Sequence, residues 1–139
     1  MNPLIEKYFD EAEVCLIANR NVSSYMLIRR EIAAADGKLR AKVSLYDNSM
    51  LEFFLYVKET EKKIQLEKYS FHWQDAQGKL RRRWDNAPHH PALDNAPHHL
   101  HLADGSPKPA DDMPDLPYIL DQVEDLSQKT FSSGEHFKE

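Results

Sequence analysis

Histidines are concentrated in one part of this 139-residue chain: six of the seven lie between positions 72 and 101. They are His72, His89, His90, His98, His99 and His101. Histidine titrates near neutral pH, and the neutral imidazole is a common metal ligand. Core packing has no need for so many imidazoles together. The cluster therefore predicts either acid–base chemistry or a metal site.

Metal-independent cleavage of RNA needs three kinds of group, and candidates for each lie in or near the cluster. A base removes the 2′-hydroxyl proton, an acid protonates the leaving 5′-oxygen, and a cation holds the phosphate. We expect histidines to transfer the protons, Arg83 to hold phosphate and Asp85 to orient an imidazole. The predicted catalytic set is His72, Arg83, Asp85, His89, His90 and His99. For substrate binding we predict Lys68 and Arg81, as cations, and Tyr69 and Trp84, as surfaces on which a base stacks.

A metal site is the alternative use of the same residues. Imidazole nitrogens together with a carboxylate suit zinc or another divalent transition metal. The spacing matches neither a His-Glu-x-x-His helix nor a cysteine–histidine finger, and adjacent histidines on an extended chain point in opposite directions. The acid–base interpretation requires no cofactor, whereas a metal ion would bind Asp85, His89, His99 and His101.

The segment between Lys58 and Arg83 is basic, with eight basic and four acidic residues in a chain whose net charge is −5. Such a patch is either a phosphate-contacting surface or an ordinary solvated strand face. The aromatic residues also have two interpretations, because Trp73 and Trp84 could simply belong to the core. Asp85 and the residue after it could likewise form a corner by accepting hydrogen bonds from backbone amides.

Two helices are predicted, one at each end of the chain. Apolar residues recur at helical spacing from Pro3 to Ala18. A second helix is expected to begin near Asp115 as N-cap, with Pro117 just inside it. We predict a single domain over residues 1–128 and a flexible tail over residues 129–139.

Between the helices, alternating apolar and polar residues predict an antiparallel meander of five or six strands. The segments are Val22–Ile32, Leu39–Tyr46, Met50–Lys58, Ile64–Trp73 and Leu80–Asn86, with His98–Leu102 as a short edge strand. The fold class is α+β, with both helices on one face of a curled sheet and the other face open to form a binding groove. The turn at residues 76–78 leaves two registers: His72 lies opposite Arg83, or opposite Arg82 or Trp84.

Long strings around the histidines resemble the TumE-like family of small prokaryotic proteins. They are HWQDAQG at residues 72–78, RWDNAPHHP at residues 83–91 and PHHLH at residues 97–101. The resemblance covers about residues 3 to 126. It implies the toxin half of a two-gene toxin–antitoxin module, whose partner is an antitoxin with a helix-turn-helix domain.

Our leading hypothesis is a growth-inhibiting toxin that acts as a ribonuclease. The chief rival is a non-catalytic protein that binds a partner or nucleic acid through the open sheet face, using Tyr69, Trp73 and basic residues. A metal-dependent hydrolase is the third hypothesis. The N-terminal residues lack the pattern of a signal peptide, no apolar run is long enough to span a bilayer, and Cys15 is the single cysteine. We therefore expect a cytoplasmic protein without disulfides and without a membrane segment.

Overall fold

The computed structural model describes residues 1–87, 98–109 and 114–138, with side chains except those of residue 109 and residues 128–138. The described chain contains two helices and seven strands. In chain order they are α1 (Pro3–Ala18), β1 (Val22–Ile32), β2 (Asp36–Leu45), β3 (Met50–Thr60), β4 (Lys63–Gln74), β5 (Leu80–Asp85), β6 (His99–His101), β7 (Pro107–Pro109) and α2 (Leu116–Lys138).

The first helix has the predicted bounds, and a side-chain cap explains its start. The side chain of Asn2 accepts hydrogen bonds from the backbone amides of Leu4 and Ile5, at 3.0 and 3.1 Å. These amides would otherwise have no partner in the first helical turn. The nitrogen of the same Asn2 side chain donates to the carbonyl of Ala34 and to Glu59. One residue thus caps α1 and ties its start to the sheet.

The strands form one antiparallel sheet in the order β1-β2-β3-β4-β5-β6-β7. Every connection joins neighbours, as expected for a meander with short turns. One sheet face is covered by both helices and holds the core. The core residues of the sheet are Leu39, Ala41, Val43, Leu45, Leu51, Phe53, Leu55, Val57, Tyr69, Phe71, Trp73 and Trp84. The predicted α+β class, with both helices on one face, is confirmed.

The approach of α1 to the sheet depends on one glycine. A Cβ atom added at Gly37 would lie 2.7 Å from Cγ2 of Ile5 and 3.0 Å from the ring of Phe9. Both of these helix residues are fully buried. The absence of a side chain at position 37 therefore lets the helix pack directly against β2.

The sheet has one strand more than predicted at its far end. β7 follows the last strand predicted from the sequence and pairs with β6, so β6 is not the edge strand. Pro107 and Pro109 lack the amide hydrogen, and proline is tolerated at the edge of a sheet. The prolines of β7 therefore leave no amide to pair with a further strand at these positions.

The second helix begins as predicted, because Asp115 accepts a hydrogen bond from the backbone amide of Tyr118 at 2.9 Å. Its buried side chains are Leu116, Ile119, Leu120 and Val123. The backbone stays helical to Lys138, so residues 129–138, predicted as a tail, continue this helix. Neither helix of the described chain has the length and apolarity that a membrane span requires.

Candidate functional site

The open face of the sheet carries a row of charged and titratable side chains that crosses five strands. The residues of this row are Lys42, Glu52, His72, Arg83 and His101, and each lies opposite the next across a strand pair. Directly opposed residues of antiparallel strands have Cβ atoms about 5 Å apart. Residues that are up to 59 positions apart in the sequence are thereby brought into one line.

The register between β4 and β5 is the one that places His72 opposite Arg83. A register shift between Trp73 and Gln74 accommodates the turn and sets this pairing. Nη1 of Arg83 lies 3.4 Å from Nδ1 of His72. Of the two registers that the sequence leaves open, the structure therefore has the one that joins the imidazole of His72 to the guanidinium of Arg83.

A cleft of about 300 Å³ lies over this pair on the open face. Its lining residues are Arg40, Met50, Glu52, Ser70, His72, Gln74 and Arg83. Nη1 of Arg40 is 2.8 Å from Oε2 of Glu52. The cleft thus combines two guanidinium groups, a carboxylate and an imidazole, the group types that phosphodiester cleavage by acid–base chemistry uses.

Beside the cleft, Asp85 is buried and has several polar neighbours. Its Oδ2 accepts from Nε of Arg83 at 2.9 Å, and its Oδ1 lies 2.9 Å from Nε2 of His99. Nε2 of His101 is 3.9 Å from Oδ2. The side chains of Asp85 and His99 are 4% and 1% exposed, and that of His101 is 17% exposed. In the described part of the chain, these three residues could hold a metal ion, since their ligand atoms lie within 4.8 Å of one another.

The adjacent histidines His98 and His99 point to opposite faces of the sheet, as expected for an extended chain. His98 stacks on Tyr69, with ring centroids 5.8 Å apart, and its Nδ1 is 2.8 Å from the Tyr69 hydroxyl. Burial raises the pKa of Tyr69, and the charge of Asp85 raises it further. Tyr69 therefore stays protonated well above neutral pH.

The aromatic residues predicted for base stacking lie on the helix-covered face instead. Tyr69 is 3% exposed and Trp84 is 2% exposed. Trp73, the other ring considered for the open face, is also buried and donates from Nε1 to Ser49. For Trp73 and Trp84 the alternative of a core position holds, whereas the core position of Tyr69 was not predicted. Burial leaves no ring face of the three residues free for a base.

The two predicted substrate-binding cations lie apart from each other. Arg81 stacks on the Trp73 ring at 4.9 Å and pairs with Asp47 at 3.2 Å, and it does not line the cleft. Lys68 is exposed and lies opposite Tyr56 on the sheet. Of the two, Lys68 is the more exposed.

Asp85 and Asn86, at the end of β5, also form a corner by accepting hydrogen bonds from backbone amides, as considered from the sequence. Oδ1 of Asp85 accepts from the backbone amide of Ala87 at 3.1 Å. The side chain of Asn86 accepts from the amide of Tyr69 and donates to the carbonyl of Glu67, which extends the pairing of β4. Asp85 thus shapes the corner and also contacts the titratable cluster.

His89 and His90, predicted as catalytic, lie outside the described residues. Arg40 and Glu52 were missed from the sequence, although both line the cleft. Each occupies a polar position in an alternating strand, which is the signal that places a side chain on the open face. Recognising them would have required knowing that β2 and β3 lie beside β4 in this register.

The chain was compared with family models, with curated proteins and with solved structures. The model of the family described as "Toxin TumE" matches residues 12–130, most of the chain. No curated protein and no solved structure matches. A toxin family implies an antitoxin as partner. The chain belongs to the TumE toxin family.

Proposed function

We propose that this toxin acts on RNA as a ribonuclease, with its active site in the open-face cleft. The observation that carries the proposal is the contact of His72 with Arg83, 3.4 Å apart, inside a cleft that also contains Arg40 and Glu52. A titratable imidazole beside a guanidinium fits acid–base cleavage of a phosphodiester. His72 and Arg83 were both predicted as catalytic from the sequence.

The surface around the cleft supports binding of a polyanion. Four further lysines occupy open-face positions on β2, β3 and β4. They are Lys38, Lys42, Lys58 and Lys68. Their strand positions gather these cations on one face, although the whole chain has a net charge of −5. Phosphate contacts of this kind supply affinity without base specificity.

In the proposed reaction, the carboxylate of Glu52 takes the proton of the 2′-hydroxyl while O2′ forms a bond to phosphorus. The bond from phosphorus to O5′ breaks, and the imidazolium of His72 gives O5′ its proton. The products are a 2′,3′-cyclic phosphate and a 5′-hydroxyl. Arg83 and Arg40 stabilise the negative charge on the phosphorus oxygens in the transition state. The base and the acid of this reaction are cross-strand neighbours, since Glu52 lies opposite His72.

Induced expression with RNA analysis is the first test. The wild type is expected to stop growth and fragment cellular RNA, whereas His72→Ala and Arg83→Gln leave RNA intact. Arg20→Gln is the matched control, because the Arg20 side chain is 84% exposed and pairs with Glu124. Intact RNA under a toxic wild type would overturn the ribonuclease proposal.

The purified protein allows a sharper test with a short single-stranded RNA. Two titrating groups produce a bell-shaped dependence of kcat/KM on pH, and we expect Glu52→Gln to remove the acidic limb and His72→Ala the alkaline limb. The product should carry a cyclic phosphate. Cleavage with an unchanged pH profile in both variants would assign the proton transfers to other residues.

The second candidate is binding of RNA or a partner without turnover, and aromatic residues on the open face favour it. The guanidinium of Arg40 lies 4.8 Å from the ring centroid of Phe54. The ammonium groups of Lys38 and Lys58 lie 5.7 and 5.9 Å from the ring centroid of Tyr56. Such cation–aromatic pairs occur on surfaces that bind single strands. Tight RNA binding with no product after prolonged incubation would favour this candidate.

We further propose that the antitoxin partner has a helix-turn-helix domain and that the toxin works in the cytoplasm, where RNA is accessible. The family membership supports a partner encoded with the toxin. Co-expression with the neighbouring gene is expected to restore growth and to yield a complex on size-exclusion chromatography. A neighbour that neither binds nor neutralises this chain would contradict the proposal.

A further inference from the structure

Two imidazoles and one carboxylate converge beside the cleft because of strand geometry. His99 and His101 are two positions apart on β6, so their side chains lie on the same face of the sheet. Asp85 is directly opposite His99 on β5. The two imidazole rings are 4.9 Å apart at an interplanar angle of 78°, and both direct Nε2 toward the carboxylate of Asp85.

A backbone contact of His101 favours a particular tautomer. Nδ1 of His101 lies 3.5 Å from the carbonyl oxygen of Gly105. If Nδ1 carries the hydrogen, Nε2 presents a lone pair to Oδ2 of Asp85, 3.9 Å away. Two electron-rich atoms that face each other at this distance are suited to share a cation. Metal-binding histidines commonly donate their second ring nitrogen to a backbone carbonyl in this way.

We propose that Asp85, His99 and His101 bind one divalent transition-metal ion of the zinc type. Zinc takes nitrogen ligands at about 2.0–2.1 Å and oxygen ligands at about 2.0–2.2 Å, which puts tetrahedral ligand atoms roughly 3.4 Å apart. The distance from Nε2 of His99 to Oδ1 of Asp85, 2.9 Å, and that from Nε2 of His101 to Oδ2, 3.9 Å, lie on either side of that value. Small side-chain rotations therefore bring three ligands into place.

The donor set also selects the class of metal. Two imidazole nitrogens and one carboxylate suit zinc and its neighbours, whereas magnesium and calcium prefer oxygen ligands. Each oxygen of Asp85 accepts one hydrogen bond within the protein, Oδ2 from Nε of Arg83 at 2.9 Å and Oδ1 from the amide of Ala87 at 3.1 Å, and keeps a second lone pair for a metal ion. Three protein ligands leave one tetrahedral position for water or a substrate oxygen.

This site goes beyond the proposed ribonuclease activity and does not rest on it. The proton-transfer residues Glu52 and His72 are not among the three ligands. Metal binding is measured without RNA, and RNA cleavage is measured with or without metal. Failure of one proposal therefore leaves the other standing.

The test is calorimetric titration of the full-length protein, stripped with a chelator that is then removed, with zinc chloride and separately with magnesium chloride. We expect one zinc ion per chain and no detectable heat of binding from magnesium. Cobalt(II) should give the visible absorption of a tetrahedral complex. Zinc is also expected to raise the Tm, because it binds the folded state.

Variants assign the ion to these residues. His101→Ala and Asp85→Asn should each weaken zinc binding about 100-fold or more, with loss of the cobalt absorption. His72→Ala is the matched control, since this histidine is on the same face but outside the ligand set. His101→Ala is the variant expected to fold, because its side chain is less buried than that of Asp85. Absence of zinc binding, equal binding of magnesium, or unchanged affinity in His101→Ala would each overturn the proposal.

Discussion

Nε of Arg83 donates to Oδ2 of Asp85 across 2.9 Å, between two residues on the same face of β5. The side chain of Asp85 is 4% exposed and that of Arg83 is 39% exposed, so a buried carboxylate holds a guanidinium that reaches the surface. Nη1 of the same guanidinium contacts His72 in the cleft. The carboxylate thereby holds the guanidinium of Arg83 at the cleft through a hydrogen bond made inside the protein.

This relationship predicts that Arg83→Lys is not a conservative change. Lysine keeps the positive charge but cannot contact Asp85 and His72 simultaneously with a planar group. We expect the rate of RNA cleavage to fall about 100-fold, since a displacement of about 1 Å can cost that much. The same substitution at Arg20 serves as the control. Wild-type cleavage by Arg83→Lys would show that charge alone suffices.

Salt dependence tests whether the lysines of the open face contact RNA phosphates. Lys42→Ala should weaken RNA binding and lower the slope of log K against log salt by about 0.7, the value for one contact with a single strand. Fluorescence anisotropy at several salt concentrations measures both quantities. Lys7→Ala is the control, because Lys7 is 75% exposed on α1 and is not part of the sheet. Equal slopes for Lys42→Ala and the wild type would exclude a phosphate contact at this position.

Gly37→Ala should destabilise the protein through the contact of α1 with β2. The new Cβ would lie 2.7 Å from Cγ2 of Ile5, so helix and strand must separate slightly. Forcing extra volume into a packed core costs about 1–3 kcal/mol, and we expect the free energy of unfolding in urea to fall by that amount. Ser44→Ala, at an exposed position of the same strand, should change it little. A stability equal to that of the wild type would mean that the helix approaches the strand less closely.

Alkaline unfolding should depend on Tyr69. Burial raises the pKa of this residue above its ordinary value of 10.0, so the folded state keeps the proton to higher pH than the unfolded state does. Its contribution to stability is present below about pH 10 and is lost as pH rises, by up to about 1.4 kcal/mol for each pH unit. We expect Tyr69→Phe to reduce the slope of unfolding free energy against pH between about 10 and 11.5.

The slope of the unfolding free energy against pH tests this prediction, and the stability at neutral pH does not. The reason is that Tyr69→Phe also removes the contact with His98 and lowers stability at neutral pH. That loss should be about 1 kcal/mol. Tyr46→Phe provides the comparison, since Tyr46 is 70% exposed. If both variants show the slope of the wild type, Tyr69 does not govern the alkaline transition.

The elements of the fold were largely predictable from the sequence, because short-range patterns determine them. Helical spacing of apolar residues predicted α1 with its observed bounds, and strict alternation predicted β2 to β4. Asp115 was identified as the N-cap of α2 by its position before an apolar stripe. β7 was missed, because two prolines in three residues are typical of a loop and its pairing with β6 is a tertiary contact.

The sequence by itself determined which segment holds the titratable groups and which residue types they are. Only the tertiary structure decided which of them meet. The register shift at Trp73 places His72 against Arg83, and the neighbouring strands bring Arg40 and Glu52 to the same cleft. The pleat turns Tyr69 and Trp84 into the core, although both are next to charged residues in the sequence. The physical reason is that side chains alternate between faces at every residue, so a shift of one residue in register exchanges the two faces.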